Sequence, residues 1–369
     1  MTARDRTTYL PALDGLRAVA IGLVLWHHGP VILQAPWPML QTWPGRLSAT
    51  GWMGVDLFFV LSGFLITGIL LRTRDTRETQ GALAGLGRFW LRRALRIFPL
   101  AYLYLGLLYA AAKGLGFPPL LTRYEHFASW ALYLGNLEVV RRGWTDGALA
   151  ILWSLAIEEQ FYLVWPFVVC APGLGPRRLV ALLLAICVLS PVVRYFTYAW
   201  LGYPAVYVAT FCRLDALGLG AALAVAFADA RLRGPLLRLC RALVVPALVV
   251  LAATLAYPFG MLYPGRYPPW FPVWGYSWIA LAFAVLVGAC LDPGPIARCL
   301  LGNRAVRYVG KISYGLYLWH YLVGEVVQRL DPRSPFPARL GLWLGATLLV
   351  ATVSWFAFER PLLRLKDRL

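Results

Sequence analysis

Charged side chains are scarce in this 369-residue chain, since Asp, Glu, Lys and Arg together make up only 14% of it. A soluble domain usually carries about a quarter charged residues, so the composition argues against a soluble globular protein. Apolar residues make up 60% and aromatic residues 14% of the chain, which excludes an intrinsically disordered protein. We therefore expect a protein that is embedded in a membrane.

Cysteine, histidine and acidic residues are also few. The six cysteines show neither a close-spaced metal-binding pattern nor a disulfide framework, so we expect no metal site. Only 17 acidic residues oppose 35 Lys and Arg, which leaves a net charge of +18. This charge lies in short clusters between long apolar runs, as in the cytoplasmic loops of membrane proteins. Membrane lipids are therefore the expected partners, and nucleic acid is not.

The apolar runs predict an all-α, polytopic membrane bundle of about ten transmembrane helices. A helix needs about 20 mostly apolar residues to cross a bilayer. The predicted spans lie near residues 13–33, 51–71, 95–113, 152–171, 179–198, 206–227, 243–258, 274–291, 312–329 and 339–358. An eleventh candidate, 126–140, is short and polar at both ends.

The distribution of Lys and Arg decides the topology. If 126–140 does not cross, both termini are cytoplasmic, and 23 of the 35 Lys and Arg lie on the inner side against 9 outside. The positive-inside rule favours this arrangement. Residues 113–150 then form an outer loop that does not cross the membrane, although it could enter it part of the way. We expect a multi-pass protein of the cell membrane, with one transmembrane domain over 1–369 and no appended soluble domain.

Ionisable residues within a span are costly and are functional candidates by default. Arg17 and His28 are eleven residues apart, which places them on one helix stripe about 16 Å apart along the axis. Asp14 lies one turn before Arg17 and could pair with it. His27 points about 100° away from this stripe. The alternative for His28 is an ordinary interfacial histidine near a helix end.

The second predicted span carries Asp56 near its outer end and Gly63 at mid-membrane. A small residue at that depth usually indicates close helix packing, which is the role we expect for Gly63. Asp56 could hydrogen-bond an imidazole at the same depth and so fix its tautomer.

The fourth predicted span carries polar residues at intervals of four. Ser154, Glu158 and Tyr162 therefore share one helix face. Counted from the outer end of the span, Glu158 is expected at a depth like that of His28. The alternative is that Glu158 is a structural partner of Arg213 or Arg194.

Two further sets of polar residues are expected to face the interior of the bundle. Arg93 and Arg96 lie at i and i+3 at the mouth of the third span, where two guanidinium groups on one face can clamp phosphates. In later spans Arg213 and Asp215 form one polar set, and Ser313, Tyr317 and His320 form another at i, i+4 and i+7. We expect these later groups to pack and hydrogen-bond between helices.

The segments together resemble the acyltransferase-3 family of membrane acyltransferases. The resemblance rests on LDGLRAVAIGLVLWHH, GVDLFFVLSGFLIT, RRALRIFP, WSLAIEEQFYLVWP, RLDALGLGA, ISYGLYLWH and the terminal FERP, in this order. The family's Arg–ten residues–His pattern selects Arg17 and His28, its Arg-x-x-Arg matches Arg93 and Arg96, and its Ser-Leu-x-x-Glu matches Ser154 and Glu158. The resemblance implies transfer of an acyl group, commonly acetyl, from acyl-CoA to a hydroxyl of a carbohydrate or glycosylated small molecule.

A mechanism follows as a hypothesis. His28 would act as the general base, with Asp56 or Glu158 orienting it. Arg93, Arg96 and Arg17 would hold the phosphates of acyl-CoA, which is a substrate, so that no permanently bound cofactor is expected. A covalent acyl-His28 intermediate is the second route. Residues expected to bind substrate are Asp14, Ser154, Tyr162, Arg213, Asp215, Tyr317 and His320. The rival classes are a transporter or flippase of a polar solute and a non-catalytic sensor.

Overall fold

The computed structural model describes residues 9–40, 42–75, 82–114, 127–144, 147–171, 173–256, 268 and 270–366, and these ranges contain helices and connecting turns but no strand. The first half contains α1 (Pro11–Ile32), α2 (Trp37–Leu40), α3 (Trp43–Ser48), α4 (Met53–Asp75), α5 (Ala82–Gly114), α6 (Phe127–Ala131), α7 (Gly135–Arg142), α8 (Leu152–Val169) and α9 (Pro176–Val208). The second half contains α10 (Leu214–Ala228), α11 (Ala230–Ala242), α12 (Val244–Ala256), α13 (Tyr276–Ala289), α14 (Pro295–Leu301), α15 (Arg304–Lys311), α16 (Ser313–Leu330), α17 (Phe336–Ser354) and α18 (Arg360–Lys366). A short 3₁₀ turn (Thr210–Cys212) precedes α10, and π-helical turns (Phe271–Gly275 and Trp355–Glu359) precede α13 and follow α17.

The all-α class is confirmed, and a helix lies at each of the ten predicted apolar runs. One boundary was wrong: residues 206–208 end α9, and the next long helix starts only at Leu214, after the 3₁₀ turn. Among the described residues, six helices are long and apolar enough to cross a membrane, and a seventh is possible if α11 and α12, which meet at a bend of 49°, form one broken span. The count of about ten spans and the cytoplasmic side of the termini stay predictions.

Large apolar side chains cover the outer surface of the bundle. On α8, Leu163, Val164 and Phe167 are each about 60% exposed, and on α9 Val188 and Trp200 are more than 70% exposed. A soluble monomer rarely exposes contiguous apolar surface of this kind. Together with the apolar helices, this surface indicates a multi-pass membrane protein.

The segment predicted as an outer loop at 113–150 is described only in part. The helix before it, α5, continues to Gly114, and residues 115–126 and 145–146 lie outside the described residues. The described remainder contains α6 and α7, of five and eight residues, and each is too short to cross a bilayer on its own. The loop's side of the membrane stays a prediction.

Glycines allow α4 and α10 to approach each other closely. A Cβ atom on Gly63 would lie 2.0 Å from the carbonyl oxygen of Leu217, and one on Gly220 would lie 2.0 Å from that of Val60. The packing role predicted for Gly63 is therefore confirmed. This contact fixes the spacing of α4, which carries Asp56, and α10, which directly follows Arg213.

We expect Gly63→Ala to destabilise the bundle by about 1–3 kcal/mol, because the added methyl group overpacks the contact with Leu217. The matched control is Gly106→Ala in α5, where a Cβ atom would have open space. The apparent unfolding temperature in detergent is the measurement. Equal midpoints for the two variants would contradict close packing of α4 on α10.

Candidate active site

A cavity of about 860 Å³, including its open mouth, lies between α1, α4, α5, α8 and α16. A concave site with mostly apolar walls and a few polar groups is typical of small-molecule sites. Among the described residues, three arginines and one glutamate are the charged side chains of its lining. The described lining residues are Arg17, Val55, Phe58, Phe59, Leu61, Ser62, Leu65, Ile66, Arg93, Arg96, Ile97, Ser154, Leu155, Glu158, Tyr162, Ser313, Tyr314 and Tyr317.

The arginines predicted to bind phosphate converge on this cavity from two helices. Arg17 of α1 donates hydrogen bonds to the Ser313 hydroxyl from Nε and Nη2, at 3.3 and 3.1 Å. Arg96 of α5 is close enough to both Arg17 and Arg93 to interact with them electrostatically. Like charges gathered in a bundle interior are unfavourable unless an opposite charge joins them. The cluster is therefore suited to binding an anion.

Glu158 lies with these arginines rather than beside His28. It hydrogen-bonds Ser62 and interacts electrostatically with Arg17, Arg93 and Arg96. Arg17 and His28 are about 16 Å apart along α1, so Glu158 does not share the depth of His28, contrary to our expectation. The prediction for Glu158 assumed that α8 begins at the outer membrane surface. The depth of α8 is instead set by its packing against α4 and α5.

The predicted polar face of α8 is observed. Ser154, Glu158 and Tyr162 all line the cavity. The Tyr162 hydroxyl hydrogen-bonds Ser62, and the Ser154 hydroxyl lies 2.7 Å from that of Tyr317. The Tyr317 hydroxyl also donates to the carbonyl of Ile151 at 2.6 Å. The cavity wall therefore carries hydroxyl groups as well as arginines.

His28 lies outside the lining of this cavity and is half-buried beside His320 of α16. Its Nδ1 is 3.1 Å from Nε2 of His320. The His320 ring lies against Tyr317, with ring centroids 5.8 Å apart, and Tyr317 lines the cavity. His27 points elsewhere, as predicted, and its Nδ1 lies 2.9 Å from the carbonyl oxygen of Ser48.

Asp56 does not contact His28, contrary to its expected role in orienting the imidazole. Its carboxylate forms a buried ion pair with Arg213. The Arg213 guanidinium stacks over the ring of Tyr276 at 4.3 Å and that of Tyr207 at 5.3 Å. Both side chains of the ion pair are about 1% exposed. They therefore neutralise each other in the interior, and neither lines the cavity.

Asp215 forms a second buried ion pair, with Arg194 of α9 at 2.8 Å. Ser277 donates to the same carboxylate at 2.7 Å. The alternative that Glu158 pairs with Arg213 or Arg194 is therefore wrong, since both arginines have other carboxylate partners. Neither Arg213 nor Asp215 lines the cavity, so the structure gives no support to their expected contact with substrate.

We expect Arg213→Gln to destabilise the protein by about 3–5 kcal/mol, because Asp56 is then left as an unpaired buried charge. The double variant Arg213→Gln/Asp56→Asn should recover most of this loss. The matched control is Arg241→Gln, which breaks an exposed ion pair with Asp292 and should cost no more than about 1 kcal/mol. Apparent unfolding midpoints in detergent check the order, and a single variant no worse than the control would contradict it.

Asp14 was expected to pair with Arg17 or to bind substrate. It interacts electrostatically with Arg17, but its hydrogen bond comes from the Tyr9 hydroxyl. Arg307 of α15 donates to the same hydroxyl and lies over the Tyr9 ring. Asp14 thus helps to fasten the start of α1 to α15 and lies outside the cavity lining.

Sequence reasoning missed several residues of the site. Tyr314 lines the cavity and donates to the carbonyl of Ile97 at 2.7 Å. Glu359, in the terminal FERP motif, interacts electrostatically with Arg96 and Arg17. The motif was a signal for Glu359, whereas Tyr314 is one tyrosine among many in the chain. Within the described part of the chain, no group of three or more His, Cys, Asp or Glu side chains could hold a metal ion.

Comparisons with known proteins identify the family of this chain. Residues 10–359 match the sequence model of the acyltransferase-3 family, described as an acyltransferase domain. The chain is 28% identical to the peptidoglycan O-acetyltransferase OatA of Listeria monocytogenes, over 98% of this chain and 57% of that protein. It is 29% identical to the O-acetyltransferase OatA of Staphylococcus aureus, over 96% of this chain and 57% of that protein.

The chain thus spans little more than half the length of these relatives. No solved structure matches it significantly. Because the family match runs through nearly the whole chain, the protein belongs to the acyltransferase-3 family of membrane acyltransferases.

Proposed function

We propose that the protein is an O-acyltransferase that moves an acyl group, in the simplest case acetyl, from cytoplasmic acyl-CoA to a hydroxyl of a carbohydrate or glycosylated natural product. The observation that carries the proposal is the convergence of Arg17, Arg93 and Arg96 on one cavity. Guanidinium groups bind phosphate bidentately, and coenzyme A carries several phosphates.

The cavity would hold the donor, and its apolar side would receive the acyl arm. Val55, Phe58 and Leu65 of α4 line it together with the arginines. A lining that combines charged and apolar side chains suits a ligand with a phosphate head and a long, less polar arm. Glu158 would keep the arginines in place, since it carries the opposite charge among them.

His28 would act on the acceptor. Acyl transfer to an alcohol needs a base for the hydroxyl proton, and an imidazole is suited to this near neutral pH. His28 is half-buried, and it is linked to the cavity through His320 and Tyr317. The donor would therefore approach from the arginine side and the acceptor from the side of His28.

The named relatives favour a carbohydrate acceptor, because the Listeria protein is described as acting on peptidoglycan. Peptidoglycan fragments are thus the first acceptors to test, followed by glycosylated small molecules. A transporter or flippase, the alternative drawn from the sequence, has no observation in its favour comparable to the arginine cavity.

The test is incubation of membranes that contain the protein with radiolabelled acetyl-CoA and these acceptors. The proposal predicts labelled acceptor with wild-type membranes and at least about 100-fold slower labelling with the His28→Ala variant. A labelled protein trapped in the absence of acceptor would favour the covalent acyl-His28 route over direct transfer. Absence of labelled product with every acceptor class, from protein that is folded and binds acetyl-CoA, would count against the proposal.

A further inference from the structure

The ring of His320 is fixed in a fully buried position. Its exposure is 0%, and its Nδ1 lies 2.6 Å from the carbonyl oxygen of Tyr317 on the same helix. Trp343 of α17 donates from its indole nitrogen to the carbonyl oxygen of His320 at 2.7 Å. Both the backbone and the ring of this residue are therefore held by neighbours.

These contacts determine which nitrogen of His320 carries its proton. A carbonyl oxygen can only accept a hydrogen bond, so Nδ1 of His320 must be the donor to Tyr317. A neutral imidazole has one N–H group, which leaves Nε2 with a lone pair. A second proton would create a charged ring at a fully buried position, and among the described residues no acidic side chain hydrogen-bonds to it.

The tautomer of His28 follows from that of His320. Nε2 of His320 faces Nδ1 of His28 at 3.1 Å and can only accept, so Nδ1 of His28 must carry the proton. The backbone of Val24, one turn earlier in α1, also forms a hydrogen bond with His28. Nε2 of His28 is thereby left with a lone pair, which is the form that a general base needs.

We propose that His320 is a positioning residue for acyl transfer, one that holds His28 in the Nδ1–H tautomer with Nε2 free to take a proton; the inference rests on the proposed function. His320 occupies the place that a carboxylate holds in a Ser-His-Asp triad, but it is a neutral hydrogen-bond acceptor. No other residue is assigned this task, since Asp56 and Glu158 have the partners described above.

In direct transfer, each bond that forms is matched by one that breaks. The acceptor oxygen forms a bond to the acyl carbon while its proton passes to Nε2 of His28, and the carbon–sulfur bond of the thioester breaks. The proton on Nε2 then passes to the leaving thiolate, which departs as the free thiol of coenzyme A. Between these events His28 is positively charged, and the lone pair of His320 accepts a stronger hydrogen bond from its Nδ1.

Two substitutions of His320 separate this role from a merely structural one. In His320→Gln the longer side chain can present an amide oxygen near the former Nε2 and so accept from His28. In His320→Asn the amide can still donate to Tyr317 but falls short of His28. We expect His320→Gln to keep kcat within about tenfold of wild type and His320→Asn to lose about 100-fold, with the KM for acetyl-CoA unchanged in both.

Equal kcat values for the two variants, or a higher value for His320→Asn, would overturn the proposal. The contact with Tyr317 alone would then account for the contribution of His320 to the rate. Wild-type protein that transfers no acyl group would instead count against the proposed function.

A second measurement does not depend on activity. The chain contains four histidines, so ¹⁵N NMR of histidine-labelled protein can be assigned by comparison with His28→Gln. A protonated Nδ1 and an unprotonated Nε2 on His28 are expected, and the opposite tautomer would overturn the proposal.

Discussion

Replacement of His28 by alanine is expected to lower the rate of acyl transfer by about 10²- to 10⁴-fold, the usual contribution of a positioned general base. The donor cavity does not include His28 in its lining, so binding of acetyl-CoA should be unchanged. Transfer is measured with radiolabelled acetyl-CoA, and donor binding is measured separately on the purified protein in detergent or nanodiscs.

His27→Ala is the matched control, since it removes the same side chain one position earlier. His27 is buried, its Nδ1 lies beside the carbonyl of Ser48, and its side chain does not line the cavity, although its ring packs edge-on against that of His28. We expect a loss of less than about tenfold in transfer, in line with one ordinary hydrogen bond of about 1 kcal/mol. Turnover retained in His28→Ala, or lost equally in both variants, would contradict the role of His28.

Replacement of both Arg93 and Arg96 by glutamine is expected to weaken the binding of acetyl-CoA by about 3–6 kcal/mol, or about 10²- to 10⁴-fold, if each guanidinium makes one charged hydrogen bond to phosphate. Both side chains line the cavity, and Arg96 lies near both Arg17 and Arg93, so their loss removes most of the positive charge of the cavity. The dissociation constant and its dependence on salt are the measurements, because a phosphate contact weakens as ionic strength rises.

Arg88→Gln is the control for this prediction. Arg88 lies on the same helix, is exposed and does not line the cavity. Its loss removes one positive charge from α5 and should leave the affinity for acetyl-CoA within about twofold, as expected of an exposed charge. Unchanged donor affinity in the double variant would show that the cavity arginines bind something other than acyl-CoA.

Local sequence pattern predicted much of the helical structure and the faces of several helices. The spacing of Ser154, Glu158 and Tyr162 placed them on one face of α8, and all three line the cavity. Gly63 was correctly predicted as a close-packing position. Such predictions succeed because helix periodicity depends on neighbours within a few residues.

The partners across the bundle could not be predicted in the same way. Asp56 and Arg213 are 157 positions apart in sequence, and their pairing depends on how α4 and α10 pack. The eleven-residue spacing of Arg17 and His28 predicted that both lie on one face of α1. It did not show that His320 of α16 would contact the ring of His28. The depth of Glu158 was misjudged for the same reason, since packing and not position within the helix sets its level.

The central claim is that an arginine-lined cavity delivers an acyl donor to His28. It is tested most directly by a structure of the protein in lipid nanodiscs with a non-hydrolysable acetyl-CoA analogue. The account predicts phosphates within hydrogen-bonding distance of Arg93 and Arg96, with the acyl end directed past Tyr317 towards His28. An analogue bound with its phosphates away from these arginines, or with its acyl end directed away from His28, would contradict it.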